Sequence, residues 1–211
     1  MHRTRTRSVA GSTWRSQRGS VLVEAAATAT VFFTLLFGVL EAGFLMSDYL
    51  ATTSGTRAAT RAATTKGNDA DADYAILRQI KRETSALPTS NIDKIIIFKA
   101  TGPGAPVPSA CLTATLHIGV SNSGTDTYCN VYDRTDLTAA SSKFGCTTSY
   151  PTYYDCGWDP KTRKVAVSTG STPDYIGVYL KVTHPAITGF FMQNYTFSST
   201  VVYPLEPRAL A

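Results

Sequence analysis

From Ser20 to Met46 the chain reads SVLVEAAATATVFFTLLFGVLEAGFLM, in which Glu24 and Glu41 are the only charged residues. At 1.5 Å per residue this run would form a helix about 40 Å long, and about 20 residues suffice to cross a hydrocarbon core of about 30 Å. A membrane-spanning helix is therefore the first constraint on the fold. Arg3, Arg5, Arg7, Arg15 and Arg18 precede it with no acid among them. Such a basic flank holds the start of a span in the cytoplasm and sends the chain beyond Met46 outside. The full chain has 20 Lys and Arg against 15 Asp and Glu. Removing the five leader arginines leaves 15 against 15, so the excess charge belongs to the leader and nucleic acid is not an expected partner.

A cleaved secretory signal places its small residues after the apolar core. Here Ala25, Ala26, Ala27 and Ala29 come before the bulkiest part, in the wrong order. A basic, acid-free start is also shared by organelle transit peptides and by plain uncleaved anchors. Glu24 argues against the plain anchor. A carboxylate costs roughly 2.5–3.5 kcal/mol at mid-membrane and less near an edge, so it needs a reason to be there. The surrounding stretch, Arg18-Gly19-Ser20-Val21-Leu22-Val23-Glu24, suggests one. A cut after Gly19 would free an amino group at Ser20 and make Glu24 the fifth residue of the product. There it could pair with the terminal ammonium of a neighbouring subunit in low dielectric.

That layout resembles the class III signal of type IV pilins and pseudopilins. More narrowly, RGSVLVEAAATATVFFTLLFGVLEAGFLMSDYLATTSGTRAATRAA is similar to the start of TadE-like minor pilins of the tight-adherence (Tad/Flp) pilus system. Glu41 matches their second acid, and Gly55-Thr56-Arg57-Ala58-Ala59 matches the segment after it. Tyr175 to Tyr179 and Ser198 to Pro207 resemble the C-terminal part of the same family. Many relatives carry a bulky residue such as Phe after the glutamate, where this chain has Ala25. The resemblance implies a precursor cut by a prepilin peptidase between Gly19 and Ser20. It implies assembly through Glu24 and Glu41 with other pilin or pseudopilin subunits and the pilus assembly platform. The product would sit in the cell membrane as a single-pass protein, N-terminus cytoplasmic and C-terminal domain outside, or in a surface pilus. A mature form of 192 residues (211 minus 19) fits a minor component, because major subunits in that family are far smaller. The alternative is an uncleaved, single-span, membrane-anchored extracellular binding module.

Small residues let membrane helices approach closely, and Ala25 with Ala29, and Gly38 with Ala42, are spaced for such contact. The chain divides into four segments: a leader over 1–19, an assembly helix embedded in lipid over 20–46, a helical stalk over 47–67 and an extracytoplasmic domain over 68–211. In the stalk Arg57 and Arg61 are one turn apart without opposing acids. A second helix is expected from about Asp69 to Ala86. It has acids in its first turn, Lys81 and Arg82 in its last, an apolar face of Tyr74, Ile76, Leu77 and Ile80, and Pro88 beyond. After Pro88 the period becomes two. Strands are expected over Leu112 to Val120 and Ile176 to Val182, with further candidates at Ile95–Phe98, Val165–Val167 and Tyr195–Tyr203. The loops Gly102–Pro108 and Ser121–Thr127 are rich in turn residues. The fold class is α+β, a largely antiparallel sheet packed on a helix.

Cys111, Cys129, Cys146 and Cys156 all lie beyond the span, which on the oxidising side reads as two disulfides. Four cysteines allow three pairings, of which Cys111–Cys129 with Cys146–Cys156 is favoured. Their 17, 16 and 9 intervening residues lack the close pairs of structural zinc. Asp69, Asp71 and Asp73 lack the Gly and Glu of a calcium loop, since Tyr74 and Ile80 fall at those positions. No metal or other cofactor is expected. Tyr150, Tyr153, Tyr154 and Trp158 form an aromatic cluster near the last two cysteines, expected as core. No phosphate loop, dinucleotide fingerprint, Gly-x-Ser-x-Gly or His-Glu-x-x-His occurs. His117 and His184 are read as structural, and no enzyme is expected.

Overall fold

The computed structural model describes residues 14–146, 157–166, 172–189 and 192–207. Cys156, Val167, Tyr150, Tyr153, Tyr154 and the leader up to residue 13 lie outside the described residues. The first helix, α1, runs Trp14–Lys66 and contributes to two units, one ending at Gly43 and one beginning at Phe44.

In the first unit α1 is a helix with apolar side chains on all sides. Leu22, Val23 and Val39 are each 72% exposed, and Phe32, Phe33 and Leu35 are also exposed. A surface of this kind needs lipid or other protein against it. From Gly19 the helix is long and apolar enough to cross a membrane. Its threonines suit that setting. Thr28, Thr30 and Thr34 donate their hydroxyls to the carbonyls of Glu24, Ala26 and Thr30 at 2.8–2.9 Å, so these three hydroxyls are satisfied in hydrocarbon.

In the second unit α1 changes character. Thr52, Thr56, Ala59, Thr60 and Ala63 are buried. The hydroxyls of Thr52, Thr56 and Thr60 bond back one turn at 2.7–2.8 Å, which lets β-branched polar residues stand inside the packing. This small-residue stripe permits close approach. A Cβ added at Gly55 would come within 2.9 Å of Thr84 Cγ2, just past the end of helix α2 (Ala72–Glu83). Helix α1 continues to Lys66 and packs within this unit along one face, while Arg57 and Arg61 remain exposed. Helix α2 starts later than Asp69. Gly67 has φ +53°, and Asp69 and Asp71 pair with Lys66 in the intervening turn.

Five antiparallel strands lie in the order β2-β3-β1-β4-β5: β1 Ile92–Ala100, β2 Val120–Asn122, β3 Thr127–Tyr132, β4 Tyr175–Pro185 and β5 Asn194–Pro204. Strand β1 is central, and both its faces are covered. Ile95 and Ile97 join Ala59, Ala63, Ile76, Leu77, Ile80, Val178 and Leu180 in the main core. Ile96 and Phe98 join Cys111, Cys129 and Val131 on the other face. An unbroken apolar run, Ile95-Ile96-Ile97-Phe98, is what two covered faces require. Gly177 faces Phe98 across the β1–β4 register, and a Cβ there would overlap the ring.

The region Leu112–Val120 is not a strand. Pro108 leads into helix α3 (Ser109–Thr113), turns come next, and only Val120 enters β2. His117 and Gly119 both have φ near +64°, a left-handed conformation that no extended run can contain. Leu112, Leu116 and Ile118 are correspondingly exposed. The stretch Ser121–Thr127, expected as a loop, is the tight β2–β3 hairpin, with Asn122 paired to Thr127. Val165 is buried but lies outside any strand.

Cys111 on α3 and Cys129 on β3 form a disulfide, and Cys146 is also disulfide-bonded. Closing the 18-residue separation of the first pair restricts the unfolded chain. Replacing both Cys111 and Cys129 by Ser is expected to cost about 3 kcal/mol in chemical denaturation. A loss below about 1 kcal/mol would show that the α3 segment is held by packing alone.

Candidate functional site

Gly19 and Ser20 lie in regular helix and are exposed. A Cβ added at Gly19 would meet nothing within 4 Å, so helix packing does not call for glycine there. Glu24 stands about one turn beyond Ser20. It is exposed and has no ion-pair or hydrogen-bond partner for its carboxylate among the described residues. Its neighbours on the helix surface, Val21, Ala25, Thr28, Ala29 and Phe32, are apolar or small. An unpaired carboxylate on an apolar surface is unfavourable in lipid and becomes favourable only with a cation or hydrogen-bond donors nearby. Gly38 and Gly43 also leave open space at their Cα positions. This surface can therefore accept another helix at close range. Glu41, further along, is buried.

In the body several charged groups are matched internally. Asp73, an acid in the first turn of α2, is also the hub of a buried network. It accepts hydrogen bonds from Asn130 Nδ2 at 2.6 Å, Tyr132 Oη at 2.9 Å and Arg163 Nη2 at 2.5 Å. Burial, reinforced by the Asp73 charge, pushes the Tyr132 hydroxyl well above its usual pKa, so it stays a donor. Arg163 also lies over the Trp158 ring, 4.5 Å from its centroid. Trp158 is core, 3% exposed. Nothing in the spacing of these residues announced the network, because Asp73 and Arg163 are 90 residues apart.

Both histidines of the body adjoin a carboxylate. His117 Nε2 is 2.9 Å from each Asp136 oxygen, and His184 Nδ1 is 2.6 Å from Asp48 Oδ2. Among the described residues the other ring nitrogen of His184 is buried without a hydrogen-bond partner, and the imidazole fastens the end of β4 to α1. Among the described residues, neither pair lines either of two hollows of the body. One, of about 800 Å³, runs along α1 and includes Arg57, Ala58, Arg61 and Glu83. The other, of about 450 Å³, includes Lys99, Asp126, Tyr128 and Asp174. There burial opposes the charge on Lys99, but Asp126 at 2.7 Å and Asp174 at 3.6 Å outweigh it and raise its pKa.

These features define a class: an α+β body beyond a membrane-length apolar helix that carries one unpaired acid close to its start. Residues 19–61 match the family model described as TadE-like protein. No curated protein and no solved structure matches the chain. The matched segment begins at Gly19, contains Glu24 and Glu41, and ends within the α1 stretch that packs into the body.

Proposed function

We propose that this chain is a pilin-like structural subunit of a tight-adherence pilus or a related secretion apparatus. It is made as a precursor and inserted with its basic leader in the cytoplasm. A prepilin peptidase then cuts it between Gly19 and Ser20, and the body faces outward. Assembly proceeds through the N-terminal helix, with Glu24 pairing with the terminal ammonium of an adjoining subunit. The observation that carries this reading is the pairing of two otherwise unexplained residues. Gly19 answers no packing need, and Glu24 lies unpaired on an apolar helix five residues later. The match over residues 19–61 supports the same assignment. No catalytic role is proposed.

Sequencing the N-terminus of the protein isolated from its native membrane tests the reading. Ser20 as the first residue supports it, whereas Met1 or His2 would favour the uncleaved, anchored binding module. A Gly19→Asp variant is expected to insert normally yet remain at precursor size on a denaturing gel when the peptidase is present. Normal shortening of that variant would remove Gly19 as the processing determinant.

A further inference from the structure

We propose that His117, Asp133 and Asp136 form a binding site for a divalent transition-metal ion, with Zn²⁺ the best fit. One ligand atom from each of the three lies within 4.8 Å of the other two. The donors come from two separate stretches, the turn after α3 and the turn after β3. The backbone brings them together: the His117 N–H donates to Val131 O at 2.9 Å, and the Asp133 N–H donates to Asp136 Oδ2 at 2.8 Å. The Asp136 side chain is fully buried, with both oxygens 2.9 Å from His117 Nε2. Ligands of a zinc ion stand about 2.0–2.2 Å from the metal, which puts them about 3–3.5 Å apart. A small widening of the His117–Asp136 contact, with Asp133 closing in from a separation of up to 4.8 Å, admits the ion.

Asp133 distinguishes this cluster from a simple ion pair. Its Oδ1 accepts from Thr135 N and Oγ1 at 2.7 and 2.6 Å, which orients the carboxylate and leaves Oδ2 for a third ligand. His117 and Asp133 are half-exposed, so water can complete the coordination and the ion can enter from solvent. One imidazole nitrogen with two carboxylates suits zinc or a neighbouring transition ion. Calcium, which takes six to eight oxygens, is disfavoured. Bound metal would tie the α3–β2 turn to the turn after β3, close to the Cys111–Cys129 disulfide. This proposal is independent of the assembly reading.

The test uses untagged full-length protein in detergent, stripped with chelator and titrated with ZnCl2 or CaCl2 in a calorimeter. One Zn²⁺ per chain at micromolar affinity is expected, with no comparable heat from Ca²⁺. His117→Gln should abolish uptake. Asp133→Asn should weaken it by about tenfold or more while melting as wild type in chelator, because the His117–Asp136 pair remains. Failure of the wild-type protein to take up stoichiometric Zn²⁺ would overturn the proposal, as would undiminished uptake by Asp133→Asn. Should His117→Gln lose its cooperative melt, Asp133→Asn decides alone.

Discussion

Replacing Asp73 by Ala is expected to cost about 3–5 kcal/mol, a large share of the about 5–15 kcal/mol that holds a domain together. The size of the effect comes from what is left behind. Arg163 is 2% exposed, and its Nε and Nη1 already lack hydrogen-bond partners among the described residues. Removing the Asp73 carboxylate strands a guanidinium charge in the interior and takes one acceptor each from the Nδ2 of Asn130 and the hydroxyl of Tyr132. Tyr132→Phe removes one hydrogen bond and keeps the ion pair, so it should cost only about 1 kcal/mol. Replacing both charges, as Asp73→Leu with Arg163→Met, should recover much of the single-variant loss, because apolar packing can substitute for a buried pair but not for half of one. Chemical denaturation followed by Trp158 fluorescence reads all three, since Arg163 stacks on that ring. A loss below about 1 kcal/mol for Asp73→Ala would mean that water reaches the guanidinium and that the network is not the anchor of α2.

The same network explains what the sequence concealed. Strand β3 reads Thr127-Tyr128-Cys129-Asn130-Val131-Tyr132 and places Asn130 on an interior face. A buried amide contradicts the alternation by which strands are recognised. It is tolerated because Asn130 Nδ2 donates to Asp73 and to the Trp158 carbonyl, and its Oδ1 accepts the Trp158 N–H at 2.7 Å. The opposite holds at Leu112–Val120, where alternation is present but two left-handed residues and the link to Cys129 prevent extension. Helices α1 and α2 and strands β1, β4 and β5 are legible because their signals are local: a long apolar run, an amphipathic period, covered strands. The roles proposed for Gly19, Ser20 and Glu24 rest on the same kind of local signal, within six consecutive residues. The His184–Asp48 pair spans 136 residues and emerges only once the chain is folded.

Glu24→Ala should leave membrane insertion and cleavage intact yet reduce incorporation into filaments by about tenfold or more. In the proposed pathway both steps precede assembly and use other residues: the apolar run drives insertion, and a prepilin peptidase would read the leader and Gly19. What is lost is the attraction between a carboxylate and a terminal ammonium, about 4 kcal/mol at 4 Å for an effective dielectric of 20 before desolvation is subtracted. About 1.4 kcal/mol of net gain would already account for a tenfold difference. Glu24→Gln keeps the shape and hydrogen-bonding capacity but removes the charge, so it should be nearly as defective as Ala if the pairing is ionic. An alanine inserted between Gly19 and Ser20 provides a second check. It retains both charges but shifts the ammonium by about 1.5 Å and about 100° around the helix, and it too should impair incorporation. Immunoblots of sheared filaments against the membrane fraction separate assembly from processing. Wild-type incorporation of Glu24→Ala would refute the pairing. A defect in Glu24→Ala without one in the insertion variant would keep the charge but discard the fixed register between adjoining helices.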